Sequence, residues 1–147
     1  MSVKFYFSGS ISGGRQHEKT YKHIVSILNE YGEVLTEHVA YGGSRVGQYL
    51  DSEVFARDMA WLEQAQILVA DVSQPSVGVG FEIASAIERG ITVVALYDMG
   101  ARHRLSSMIS GCPSVILFRY SSIEELSDSL RNVVESHVDA VNELVQV

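Results

Sequence analysis

The chain has 147 residues, a formal charge of −7 and 46% hydrophobic residues. The length fits one domain over 1–147 with a full core, and the hydrophobic share excludes a disordered tail. The acidic balance argues against nucleic acid polymers and anionic membranes as partners, yet leaves room for a small anion at a locally positive site. No apolar run has the length of a membrane span, and the N-terminus lacks the order of a signal peptide. Cys112 is the single cysteine, so no internal disulfide forms and a reducing, cytoplasmic compartment is expected.

Val3–Ser8 (VKFYFS) reads as a strand. A glycine-rich turn follows. Helical spacing then runs from about Gln16 to Tyr31, with Tyr21, Ile24, Val25 and Leu28 on one face and Gly32 as its stop. Glu33–Thr36 reads as a second strand and Val39–Leu50 as a loop. Asp51 is the expected N-cap of a helix to about Ala65. Ile67–Val72 (ILVADV) has the apolar continuity of a parallel strand buried on both faces. A loop leads to a helix over Phe81–Arg89, ended by Gly90. Thr92–Tyr97 is a fourth strand, Arg104–Ser110 a short helix and Val115–Phe118 a fifth strand. Ser122 caps a long last helix.

This alternation predicts an α/β fold, a five-stranded parallel doubly wound sheet of flavodoxin-like order. Ligands in such folds bind beyond the carboxyl ends of the strands, where the polar and glycine-rich clusters fall.

The first cluster is GSISGGR, Gly9–Arg15. Glycines let backbone N–H groups turn toward one anion, and the next helix adds its positive end. Serine hydroxyls and the Arg15 guanidinium can complete a phosphate cradle, the plainer alternative being a flexible strand-to-helix turn. The spacing is neither GxxxxGK[ST] nor GxGxxG, which disfavours ATP and dinucleotides. The second cluster is DVSQPSVGVGFE, Asp71–Glu82, with Glu82 expected in the first turn of its helix. Taken alone, Glu82 reads as a partner of the helix dipole and Asp58 as a solvated acid on an amphipathic helix. Brought together, the two would suit glycosidic bond chemistry. The histidines and Cys112 show no metal-ligand spacing, no cofactor pattern stands out, and no G-x-S-x-G elbow is present.

With YFSGSISGGR, VLTEHVA, DMAWLEQA, VADVSQPSVGVGFE and LSSMISG together, the chain resembles the 2′-deoxynucleoside 5′-phosphate N-hydrolases of the nucleoside 2-deoxyribosyltransferase superfamily over nearly its whole length. The resemblance implies cleavage of the N-glycosidic bond of a nucleoside monophosphate to free base and deoxyribose 5-phosphate. It implies Glu82 as a nucleophile forming a covalent glycosyl-enzyme. Asp58 would protonate the base or orient the nucleophile, and Tyr6 would lie beside the sugar. Gly9, Ser10, Ile11, Ser12, Gly13, Gly14 and Arg15 would hold the 5′-phosphate. Ser76 and Gly78 would line sugar and phosphate, and His38 would lie near the base. Ser106, Ser107 and Met108 would reach across a homodimer into the partner's site. Ser12 is a departure, since some relatives carry arginine there, and it bears on phosphate binding and base preference. Arg15 favours a nucleotide hydrolase over a nucleoside deoxyribosyltransferase, and Tyr6 leans away from the ribonucleotide (CMP) branch, where phenylalanine is usual. A nucleotide-binding module without catalysis is the alternative of another class, and the pairing of Glu82 with Asp58 speaks against it.

Overall fold

The computed structural model describes residues 2–11, 15–37, 40 and 49–146, without the side chains of Arg15, Gln16 and Val145. In chain order the elements are β1 (Val3–Ser8), α1 (Arg15–Asn29), β2 (Gly32–Val34), α2 (Asp51–Gln64) and β3 (Ile67–Asp71). They continue as α3 (Val77–Glu88), β4 (Thr92–Asp98), α4 (Ser107–Ser110), β5 (Val115–Tyr120) and α5 (Ile123–Val145). The five strands are all parallel, in the order β2-β1-β3-β4-β5. This is the doubly wound order expected from the alternation. The chain leaves β1 toward β2 on one side and then crosses to β3 on the other, which opens a crevice at the carboxyl ends of β1 and β3.

The two-residue period of the strands sorts the core into two layers. Phe5, Phe7, Ile67 and Val69 meet Tyr21, Ile24, Val25 and Leu28 of α1 and Leu126 and Leu130 of α5. Tyr6, Leu68 and Ala70 meet Leu62 of α2 and Val79, Ile83 and Ala86 of α3. Each fully buried Leu or Phe contributes about 1.5–3 kcal/mol of transfer free energy.

Several boundaries differ from the sequence reading. α1 ends at Asn29, and Gly32 opens β2 instead of stopping the helix. A Cβ on Gly32 would sit 2.0 Å from the Val3 carbonyl oxygen, so close pairing with β1 demands the glycine. β2 ends at Val34, and Thr36 turns inward, donating to the Phe7 carbonyl and accepting from its N–H, both at 2.7 Å. Leu50, not Asp51, is the N-cap of α2, and Asp51 lies in its first turn. α3 begins at Val77, four residues before the expected start. β4 and β5 extend to Asp98 and Tyr120.

Candidate functional site

Ser76 sets the start of α3. Its backbone is extended, and its hydroxyl accepts from the Val79 N–H at 3.2 Å, the geometry of an N-cap. That cap draws Gly78 and Gly80 into the helix despite their low helix propensity. Glu82 consequently lies in the second turn, where the helix dipole has little hold. Its carboxyl is pushed up to about 7, chiefly by desolvation and further by the nearby charge of Asp58. Tyr6 and Ser8 on β1 pull the other way, their hydroxyls favouring the carboxylate.

Tyr6 and Ser8 alternate on the face of β1 that looks at α3. The Tyr6 phenol is pushed up by burial and then by the Glu82 charge, so it remains a neutral donor. Ser8 Oγ is buried without a partner at full hydrogen-bonding geometry, although it lies near enough to Glu82 to favour its ionised form. Such a hydroxyl is ready to be satisfied by a ligand. A Cβ on Gly78 would lie 3.9 Å from both Glu82 Oε1 and Ser76 Oγ, which places these groups around one space.

α2 brings Asp58 to the same crevice, where its charge acts on both Glu82 and Tyr6. Arg57 grips it, with Nε and Nη2 each 3.0 Å from Asp58 Oδ1. The guanidinium carbon in turn lies 4.8 Å from the Trp61 ring centroid and 5.9 Å from that of Tyr49. Neither Ser8 nor Arg57 is singled out as a site residue in the sequence reading. Period-two alternation from Tyr6 points to Ser8. Helical spacing sets Arg57 one turn before Trp61 but does not pair it with Asp58, because adjacent helix positions face apart and only a long guanidinium bridges them.

At the exit of β1, Gly9 passes under Tyr21, whose ring carbons would be 2.8 Å from a Cβ there. Ser10 is buried and its carbonyl accepts from the Tyr21 hydroxyl at 3.4 Å, whereas Ile11 is exposed. Arg15 opens α1. The expectations for Ser12, Gly13, Gly14, His38 and the Arg15 side chain lie outside the described residues. Ser106 caps α4, accepting from the Met108 N–H at 3.2 Å, and Ser107 and Met108 are exposed. Ser106 and Met108 share a cavity of about 380 Å³ with Ser76, Val79 and Ile83, a space whose wall excludes Glu82. Within one chain, then, the crevice unites Tyr6, Ser8, Asp58, Ser76, Gly78 and Glu82, and α4 reaches only as far as Ser76, through a cavity that Glu82 does not line.

The nucleoside 2-deoxyribosyltransferase family matches residues 5–141. The chain belongs to this family. A putative 2′-deoxynucleoside 5′-phosphate N-hydrolase 1 of Syntrophotalea carbinolica is 40% identical over 141 residues, covering 92% of this chain and 98% of that protein. The 5-hydroxymethyl-dUMP N-hydrolase of Danio rerio is 37% identical, with 95% and 98% covered, and that of Homo sapiens 40% identical, with 82% and 71% covered. Among solved structures, a CMP N-glycosidase of Clostridium botulinum matches with a TM-score of 0.63 at 17% identity, over 86% of this chain and 97% of that one. That likeness supports the family fold. Among the described residues, no helix is long and apolar enough to cross a membrane.

Proposed function

We propose that this family member is a glycosidase that hydrolyses the N-glycosidic bond of 2′-deoxynucleoside 5′-monophosphates, releasing the base and deoxyribose 5-phosphate. The convergence of Tyr6, Ser8 and Asp58 on the desolvated Glu82 carboxyl carries this reading. The ionised Glu82 attacks C1′, and the C1′–N bond breaks with its electron pair on the base nitrogen. Water then cleaves the glycosyl ester and restores the carboxylate, so the cycle consumes one water. Desolvation suits this task, because a carboxylate poorly stabilised in the empty site is neutralised as it meets the cationic sugar carbon. Tyr6 and Ser8 orient it, Ser76 and Gly78 line the sugar, and Gly9–Arg15 receives the 5′-phosphate. Asp58 orients the base or supplies its proton, and the resemblance assigns His38 to the base. The relatives named for deoxynucleotides support deoxyribose over ribose, and the single cysteine supports a reducing cytoplasmic home.

The active unit in this reading is a homodimer with shared sites. Val77 and Met108 are 94% and 82% exposed, and Phe55 and Phe81 stack edge to face at 5.9 Å on the surface. Together with the apolar cavity between α3 and α4, they make an area suited to a second copy, across which Ser106 and Ser107 reach the partner's phosphate. The test is a panel of deoxy- and ribonucleoside 5′-monophosphates and free nucleosides, with base release followed by chromatography. Deoxynucleotides should be preferred. Base exchange without hydrolysis would make the protein a transferase, and no release from any member would remove the catalytic reading. For the dimer, Glu82→Gln and Ser106→Ala/Ser107→Ala proteins should regain activity on subunit exchange.

A further inference from the structure

We propose that Arg57 is a further catalytic residue, one that stabilises the negative charge gathering on the departing base. The inference rests on the hydrolase reading and extends it to the leaving group. Cleavage leaves an electron pair on the base nitrogen, and in a pyrimidine that charge spreads to the adjacent carbonyl oxygen. A guanidinium N–H aimed at that oxygen stabilises the departure in the transition state more than in the bound substrate.

Three observations place Arg57 for this role. Its Nε and Nη2 both contact a single oxygen of Asp58, each at 3.0 Å. Among the described residues, neither Nη1 of Arg57 nor Oδ2 of Asp58 carries a further hydrogen bond. The pair thus offers one donor edge and one acceptor to a ligand. Second, the guanidinium carbon lies over the Trp61 ring and over that of Tyr49, two contacts that confine it. Lysine keeps the charge but not the two-donor grip. Third, the side chain keeps 36% of its surface exposed while its charge is felt at the Tyr6 phenol, so it lies at the mouth of the crevice and not behind it.

The experiment uses 2′-deoxyuridine 5′-monophosphates carrying methyl, hydrogen, bromine or fluorine at C5, whose leaving bases run from poor to able. Single-turnover rates are compared for the unmodified protein, Arg57→Gln and Arg57→Lys, with thermal midpoints confirming folding. Arg57→Gln should slow the poorest leaving base roughly 100-fold and the best less than about 5-fold, giving a steeper dependence on leaving-group acidity. Arg57→Lys should fall between, and it serves alone if the glutamine variant does not fold. A loss uniform across the series would overturn the proposal and reduce Arg57 to holding Asp58 in place. Unchanged rates would overturn it as well. No base release by the unmodified protein from any member would instead overturn the hydrolase reading.

Discussion

Each face of the sheet holds a desolvated carboxyl group near the carboxyl-terminal rim, Asp71 buried and Glu82 half-buried, and the two faces treat it in opposite ways. On the α1/α5 face, Asp71 ends β3 with 1% of its surface exposed. Its Oδ1 accepts from the Ser73 N–H at 3.0 Å and its Oδ2 from the Tyr120 hydroxyl at 3.2 Å. Ser73 Oγ meanwhile accepts from the Asp98 N–H at 2.9 Å, so one acid ties together the ends of β3, β4 and β5. Nearby, His23 Nε2 lies 2.6 Å from Ser127 Oγ, which itself donates to the Ile123 carbonyl at 2.7 Å. The imidazole is therefore the donor, and the pair staples α1 to α5 instead of activating a nucleophile. On the α2/α3 face, Glu82 has two neutral hydroxyls and an anionic neighbour. Burial raises both carboxyls. What separates Asp71 from Glu82 here is how far the surroundings satisfy each and how far each is closed to solvent.

Glu82→Gln tests that contrast most severely. Base release should fall by roughly a thousandfold or more, with nucleotide binding retained. Stability should move the other way. The Glu82 pKa of about 7 in the folded protein exceeds its ordinary 4.5. Between those values the folded state holds the proton more tightly, so stability falls as pH rises, by about 3 kcal/mol in all. Thermal unfolding at pH 8 should find the glutamine variant more stable by up to about that amount, with the gap closing near pH 4. Equal stability at pH 8 would mean that Glu82 is not desolvated.

Tyr120→Phe probes the other face. Removing one donor from buried Asp71 should cost about 1–3 kcal/mol in denaturant unfolding, while kcat/KM stays within about twofold. A large catalytic loss at unchanged stability would erase the division between the faces.

The smallest effect is on pH dependence. The acid limb of kcat/KM reports Glu82 losing its proton and should lie near pH 7. Tyr6→Phe and Ser8→Ala each remove a hydroxyl that favours the carboxylate, so both should move the limb upward, Tyr6→Phe the further. A downward move in either variant would contradict the placement of these groups.

Much of the fold was legible because strand and helix periods alternate cleanly, and ILVADV has the short apolar continuity of a buried parallel strand. The site was legible in part, through residues whose motifs lie in short contiguous runs. The start of α3 was hidden because Gly78 and Gly80 read as loop, whereas the Ser76 cap and the packing of Val79 and Ile83 override their propensity. That shift moved Glu82 from the first turn to the second and decided its protonation by burial instead of by dipole. Arg57 and Asp71 were hidden for another reason. Their partners Tyr49 and Tyr120 become neighbours only when the chain is folded, although Trp61, one helical turn on from Arg57 along α2, was within reach of the spacing.

The inner place of β1 in the sheet also bears on how the chain is made. β1 leaves the ribosome before the other four strands, and β2 can pair with it as soon as residues 32–34 follow. Its other edge waits for residues 67–70. At ordinary synthesis rates the interval is roughly 2–7 s. Through it the nascent chain presents VKFYFS with an open edge and Lys4 as its only charge. The strand that later carries Tyr6 and Ser8 is therefore the segment of this protein most exposed to mispairing before folding completes.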